Sequence, residues 1–266
     1  MPRAKVNGVD IDYSVEGHGE PLVMIMGLGG ARSSWRYQTG FFKRYYRTVA
    51  FDNRGVGKTG TSAGPYTIKT MAEDTIGLMD HLGIEKAHIL GVSMGGMIAQ
   101  EIAINHPERV DRLVLGCTFA KAGTSAHSAK MNKAIEAYGR SSQNEASQRR
   151  LISAMIDLSF NKRSSRLLFL PFAKIAIRFS SISGILAQMN AVSAHDTVDR
   201  LKMVRAPTLV ITGTDDRLVS PVSSEIIAKL VPNAKLVTMA GGGHTFFIEM
   251  HKEFNSEVLH FLKQAA

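Results

Sequence analysis

The sequence predicts an α/β protein: a mostly parallel sheet covered by helices on both faces and interrupted by a helical insertion. Three observations predict it. Short apolar runs alternate with segments of helical periodicity along most of the chain. The links between them are short, as expected when sequential strands and crossover helices pack together. Residues 119–203 alone break that rhythm, being helix-like and rich in Ser, Met and basic residues, with no clear strand.

Taken in order, Lys5 to Tyr13 reads as a hairpin around Asn7-Gly8, with alternation in its second arm. Leu22-Val23-Met24-Ile25-Met26 is continuously apolar, the signature of a strand covered on both faces, and it runs into the turn Gly27-Leu28-Gly29-Gly30. Tyr46 to Phe51 is the next strand, ending in Asp52-Asn53-Arg54-Gly55-Val56-Gly57. Ile68 to Leu82 has helical spacing, with Gly83 as its stop. Ala87 to Leu90 is a short buried strand, followed after a glycine-rich turn by a helix that must end by His106, because Pro107 follows. Val110 to Leu115, Ala206 to Gly213 and Ala234 to Met239 are further strands. Helices are expected over about 221–231 and from Phe247 to Leu262. Domain organisation follows: residues 1–118 and 204–266 form the core, and 119–203 form an inserted cap.

Bulk composition narrows the function classes. A chain of 266 residues, 44% hydrophobic and 21% charged, can bury a substantial core as one large domain. No apolar run occupies the first 20 residues and no uncharged stretch reaches membrane-spanning length, so neither a signal peptide nor stable membrane insertion is expected. The single Cys117 excludes an internal disulfide framework and suits a reducing cytoplasm; at the end of an apolar run it reads as a small core residue. The formal charge of +9 would suggest nucleic acid, but its distribution argues otherwise. Twelve Lys/Arg face five acids between Thr118 and Arg200, so the excess belongs to the insertion, without an aromatic-interleaved basic ladder or helix-turn-helix pattern. A solvated basic face is expected there, and no nucleic-acid partner.

The chemistry centres on Gly91-Val92-Ser93-Met94-Gly95-Gly96. A G-x-S-x-G between a strand and a helix is a nucleophile elbow: the serine sits at the tip of a strained turn whose flanking residues must lack bulk. Ser93 then needs a base, and the base a carboxylate that orients it. Among nine histidines, His244 stands apart, because Gly241-Gly242-Gly243 after a strand can bring its imidazole over the sheet edge. The acid belongs at the end of the preceding strand, where Thr214-Asp215-Asp216 offers two adjacent carboxylates that spacing does not separate. Cys117 to Lys121, after the strand before that, offers none. For an oxyanion, backbone N–H donors are available at Met94, on a helix N-terminus, and at Leu28 in the Gly27–Gly30 turn. Gly55-Val56-Gly57-Lys58-Thr59-Gly60 fits G-x-G-x-x-G, but loop-forming residues follow where a phosphate cradle needs a helix. Neither His-x-x-x-His, Cys-x-x-Cys nor clustered carboxylates suggest a metal site, and no cofactor is expected.

These residues together resemble the α/β-hydrolase family, nearest to its small carboxylesterases and enol-lactonases. Leu22 to Gly30, Asp52 to Gly57, Gly91 to Gly96, Pro207 to Asp216 and Gly243-His244 match family patterns in order over nearly the whole chain. The family's G-x-x-D pattern implies Asp216 as the acid. Met26-Gly27 stands where most relatives carry His-Gly, which leaves the Leu28 N–H intact. The resemblance implies hydrolysis of a small-molecule carboxylic ester or lactone through an acyl-enzyme on Ser93, Asp216 and His244. Cofactor-free haloperoxidases, C–C bond hydrolases and hydrolase-derived ligand receptors share these residues, whereas a serine at position 93 excludes the dehalogenase branch. Substrate choice falls to the cap, where the apolar, basic stretch Arg166 to Phe179 is read as a helix packed over the site; it is also a candidate for weak contact with a lipid surface.

Overall fold

The computed structural model describes residues 2–60, 65–122 and 182–264, with Lys133, Glu136, Ala137 and Ser159 between the last two stretches. Eight strands form one sheet: β1 (Arg3–Val6), β2 (Val9–Glu16), β3 (Pro21–Ile25), β4 (Arg47–Phe51), β5 (Ala87–Val92), β6 (Val110–Gly116), β7 (Thr208–Gly213) and β8 (Ala234–Met239). Their order across the sheet is β1-β2-β4-β3-β5-β6-β7-β8. Only β1–β2 and β2–β4 pair antiparallel; every later pairing is parallel. The hairpin at the edge turns on Asn7 and Gly8, whose φ angles of 46° and 78° are the left-handed pair that a two-residue turn requires.

Alternation along the central strands separates two cores. Val23 and Ile25 of β3, Ile89 of β5, Leu113 and Leu115 of β6, and Val210 of β7 point to one face. There they meet α2 (Ile68–His81), α3 (Met94–Asn105) and Ile227 of α5 (Pro221–Leu230). Leu22, Met24, Leu90, Val114, Leu209 and Ile211 point to the other, against Phe42 of α1 (Arg36–Phe42), Phe246 of α6 (Phe246–Glu249) and Phe254 and Val258 of α7 (His251–Leu262). Among the described residues, α4 (Ile182–Ser193) lies over the loops at one end of the sheet, with Gly184 against Gly55 and Ile185 against Gly29. Helix α2 begins at Thr67, whose hydroxyl accepts the Thr70 N–H in a capping box.

Two elements differ from the sequence expectation. Residues 32–42 form a 3-10 turn and α1, which carry Trp35 and Phe42 into the second core. The single helix expected over 247–262 is two, because Met250 leaves the helical region at φ −120°, ψ 39°. The Arg166–Phe179 stretch and most of the basic insertion lie outside the described residues. The points where that insertion leaves and rejoins the core are described and are tightly held. Thr197 N–H bonds Ala120 O at 2.8 Å, Thr197 Oγ1 donates to Gln100 Oε1 at 2.6 Å, and Arg200 grips both oxygens of Glu101. Among the described residues, no helix is long and apolar enough to cross a membrane.

Candidate active site

Because β3, β5, β7 and β8 run parallel, their C-terminal ends gather on one edge, and the turns that follow them meet there. The turn after β5 is the tightest. Ser93 stands at φ 54°, ψ −123°, a region rarely occupied by a residue with a side chain, between a strand and the first turn of α3. Its neighbours explain how this is tolerated. A methyl group on Gly91 would overlap the backbone of Gly95 and Gly96, and one on Gly95 would overlap the Ile25 carbonyl of β3. Glycine is therefore required where the helix turns back over its own strand. Thr118, just past β6, braces the elbow by donating its hydroxyl to Ser93 O at 2.8 Å.

The loops after β7 and β8 are stitched together before they reach the serine. Thr214 N–H bonds Met239 O, Asp215 N–H bonds Gly242 O at 2.9 Å, and Gly241 N–H bonds the Thr214 hydroxyl at 2.8 Å. This brings His244 Nδ1 to 2.8 Å from Asp216 Oδ2 and His244 Nε2 to 3.0 Å from Ser93 Oγ. Asp216 Oδ1 accepts the backbone N–H groups of Leu218 and Val219 at 2.8 and 2.9 Å, so the carboxylate is fixed on both oxygens. A carboxylate only accepts, so the imidazole carries its proton on Nδ1 and offers a bare Nε2 to the Ser93 hydroxyl. Asp216 and His244 are both buried. Asp215, the other half of the sequence ambiguity, is exposed and accepts from the Thr214 hydroxyl.

Met94 opens α3 beside Ser93, so its N–H belongs to the unpaired first turn of a helix. Across from it Gly27 lies against Ser93, and the Gly27–Gly30 turn closes with a Gly30 N–H to Gly27 O bond at 3.1 Å. Met26, where a polar side chain was conceivable, is buried in the second core and takes part through its backbone, its carbonyl accepting Asn53 Nδ2 at 2.9 Å. The Asp52–Gly57 loop is scaffolding for this edge. Asp52 accepts the N–H groups of Arg32 and Lys58 at 2.7 and 2.9 Å, although burial raises its carboxyl above the ordinary value. Its carboxylate occupies the space a side chain on Gly57 would need, so the glycine-rich loop that mimics a phosphate cradle wraps the protein's own anion. Arg54 closes on Asp74 with two bonds of 2.6 Å, both side chains almost wholly buried.

Cys117 Sγ, an Asp216 oxygen and a His244 nitrogen lie within 4.8 Å of one another, the one group of metal-binding side chains so close among the described residues. As donors they are already committed: Asp216 to His244 and two backbone N–H groups, His244 to Asp216 and Ser93. Burial, and then the neighbouring Asp216 carboxylate, push the Cys117 thiol well above its usual range, which keeps it protonated and inert. Sequence reasoning brought forward Ser93, Asp216, His244, Leu28 and Met94, and all five lie on this edge. It passed over Thr118 and Gln188. Thr118 follows β6 in a stretch that offers no carboxylate, and nothing in the sequence marks Gln188, whose helix also carries Ser183, Asn190 and Ser193.

Comparison with known proteins agrees with this fold. A family model described as the alpha/beta hydrolase fold matches residues 20–250. A protein of Azorhizobium caulinodans named carbamate hydrolase RutD is 29% identical, with 98% of each chain covered. A Mycobacterium tuberculosis protein named non-heme bromoperoxidase BpoC is 29% identical over 95% of this chain and 97% of its own. The solved enol-lactonase of Burkholderia xenovorans LB400 superposes with a TM-score of 0.89 at 27% identity, covering 99% of this chain and all of that one. With a strained serine between β5 and α3, a histidine and an aspartate on the loops after β8 and β7, and a family match over most of its length, the chain belongs to the α/β-hydrolase family.

Proposed function

We propose that the protein is a serine hydrolase acting on a carboxylic ester or lactone, with Ser93, His244 and Asp216 as its catalytic triad. The observation that carries the reading is the unbroken Ser93–His244–Asp216 chain of 3.0 and 2.8 Å contacts beneath a helix N-terminus. Ser93 Oγ attacks the carbonyl carbon as His244 Nε2 takes the hydroxyl proton, and Asp216 holds the resulting imidazolium. The N–H groups of Leu28 and Met94 receive the negative oxygen. As the carbon–oxygen bond to the alcohol breaks, His244 gives its proton to the departing alkoxide. Water then repeats the sequence on the acyl-enzyme, losing its proton to His244 and releasing the acid and free Ser93.

Substrate is a small molecule, selected by residues 119–203 acting as a helical cap on the core, and no cofactor takes part. The enzyme works in the cytoplasm, a compartment that a lone, buried thiol suits. The relatives' names span carbamate hydrolase, enol-lactonase and non-heme bromoperoxidase; the triad and two N–H donors suit attack on an acyl carbonyl, and an ester or lactone is the substrate class proposed for it.

The test is turnover of p-nitrophenyl esters of increasing acyl length, and of lactones, by the wild type and Ser93→Ala. Multiple turnover that vanishes in Ser93→Ala is the expected outcome. Equal rates in both refute the mechanism, and a stoichiometric adduct without release points to a ligand receptor instead. Rates that rise with long, emulsified chains support lipid contact by the cap, and rates that do not rise refute it.

A further inference from the structure

The Gly27–Gly30 turn is held from outside the core. Gly29 stands at φ 68° and Gly30 N–H bonds Gly27 O, the pattern of a type II turn, with the central Leu28–Gly29 peptide turned so that its N–H faces outward. That N–H meets Gln188 Oε1 at 2.9 Å. The same amide reaches the neighbouring loop with its nitrogen, donating to Arg54 O at 3.0 Å. Gln188 is completely buried and lies 159 residues from Gly29. An amide so placed uses its acceptor on one loop and a donor on the other, a pairing that no other uncharged side chain of similar length supplies. The rest of α4 is docked where the amide can do this. Its Gly184 backbone packs directly on Gly55, Tyr66 OH donates to Gly184 O at 3.0 Å, and Ile185 lies over Gly29.

We infer that Gln188 is a positioning residue for the oxyanion site. By fixing the Leu28–Gly29 peptide against the Arg54 loop, it holds the turn in which the adjoining Gly27–Leu28 peptide, and with it the Leu28 N–H, is oriented. The helix that returns the chain from the insertion to the core therefore completes the catalytic edge as well as covering it. The inference rests on the hydrolytic reading for its role and on the two amide contacts for its geometry. Gln188 touches no reacting atom, so its loss should weaken transition-state stabilisation while leaving ground-state binding nearly intact.

The experiment compares wild type, Gln188→Leu, Gln188→Glu and Tyr66→Phe for kcat and KM on p-nitrophenyl acetate. It also measures the second-order rate of Ser93 labelling by a fluorophosphonate, whose phosphoryl oxygen enters the same site. Gln188→Leu should lose about tenfold in kcat with KM within about twofold, since a small displacement of one donor is enough, and its labelling rate should fall in parallel. Gln188→Glu, its fully buried carboxyl kept protonated by the Arg54 carbonyl it faces, keeps an oxygen for Gly29 N–H and offers an O–H to Arg54 O, and should recover both to within about threefold. Tyr66→Phe removes a different tie of α4 and should lower the melting temperature without that kcat loss. Should Gln188→Leu fail to fold, Gln188→Asn, one methylene short of Gly29, replaces it with the same expected loss. A Gln188→Leu enzyme that is less stable yet unchanged in kcat overturns the inference, as does a Gln188→Glu enzyme no better than the leucine variant. If the wild type labels at Ser93 but turns over no ester, the hydrolytic reading fails, and the labelling rates alone then decide the role of Gln188.

Discussion

Replacing Asp216 by asparagine separates the two aspartates that strand spacing alone left equal. In the native site Oδ1 accepts from Leu218 and Val219 N–H, and Oδ2 faces His244 Nδ1 at 2.8 Å. Asparagine has one oxygen. Keeping it on the two backbone donors preserves two hydrogen bonds, so stability should change by no more than about 1 kcal/mol. The amide nitrogen then faces Nδ1 as a donor, and the imidazole answers by moving its proton to Nε2. That nitrogen now points a proton at Ser93 Oγ, 3.0 Å away, and cannot accept one. In the serine-protease triad the same change lowers kcat by about four orders of magnitude; a fall of about 10³- to 10⁴-fold in kcat/KM, roughly 4–5.5 kcal/mol of barrier, is expected here. Asp215→Asn, on an exposed side chain outside the chain of contacts, should remain within about twofold of wild type. Ester hydrolysis followed by stopped assay, beside a chemical melt of each variant, measures both quantities. An Asp216→Asn enzyme retaining more than about a tenth of wild-type activity, or an Asp215→Asn enzyme losing as much, refutes the tautomer reasoning.

Two further outcomes concern stability. Arg54→Met strands the buried Asp74 carboxylate and should destabilise by about 3–5 kcal/mol in urea; adding Asp74→Leu should return most of that loss, and a double variant no better than the single one refutes the pairing account. His195 lies buried after α4, and burial, outweighing the nearby Glu101 carboxylate, lowers its pKa to about 4. The unfolded chain takes up a proton near pH 6.5 that the folded protein resists, so stability is complete above that value and is lost as pH falls towards 4. Between pH 7 and 4.5 the wild type should lose about 2.5 kcal/mol more than His195→Gln, measured by urea melts at both values; equal losses refute it.

Much of the site was legible because its constraints are local. The elbow needs small residues two positions either side of the serine, between an apolar strand and an apolar helix, and these requirements are written in consecutive letters. Asp215 and Asp216 were not separable by residues alone, since what distinguishes them is which one the loop stitched to Gly242 turns inward, a contact with a chain segment 27 residues on. The α1 helix escaped notice because its seven residues include Gly40 and bury only Gln38 and Phe42, too few for a period to emerge. The break at Met250 was invisible for the opposite reason: apolar spacing continues across it, and only the backbone departs. Gln188 could not have been assigned from sequence, because its partners are backbone groups that any residue carries.

The connection between β6 and β7 has a consequence beyond catalysis. The two strands lie side by side, in register from Leu113–Thr208 to Gly116–Ile211, yet about 90 residues separate their ends. Loop-closure entropy grows only with the logarithm of length, so lengthening such a connection from roughly 10 residues to roughly 90 costs about 2 kcal/mol. Tied down at both feet by Thr197, Arg200 and their partners, the segment between can change in length and composition while the sheet barely registers it. On the proposed role of residues 119–203, substrate choice can therefore change without disturbing the reacting edge, except at side chains such as Gln188 that reach from one into the other.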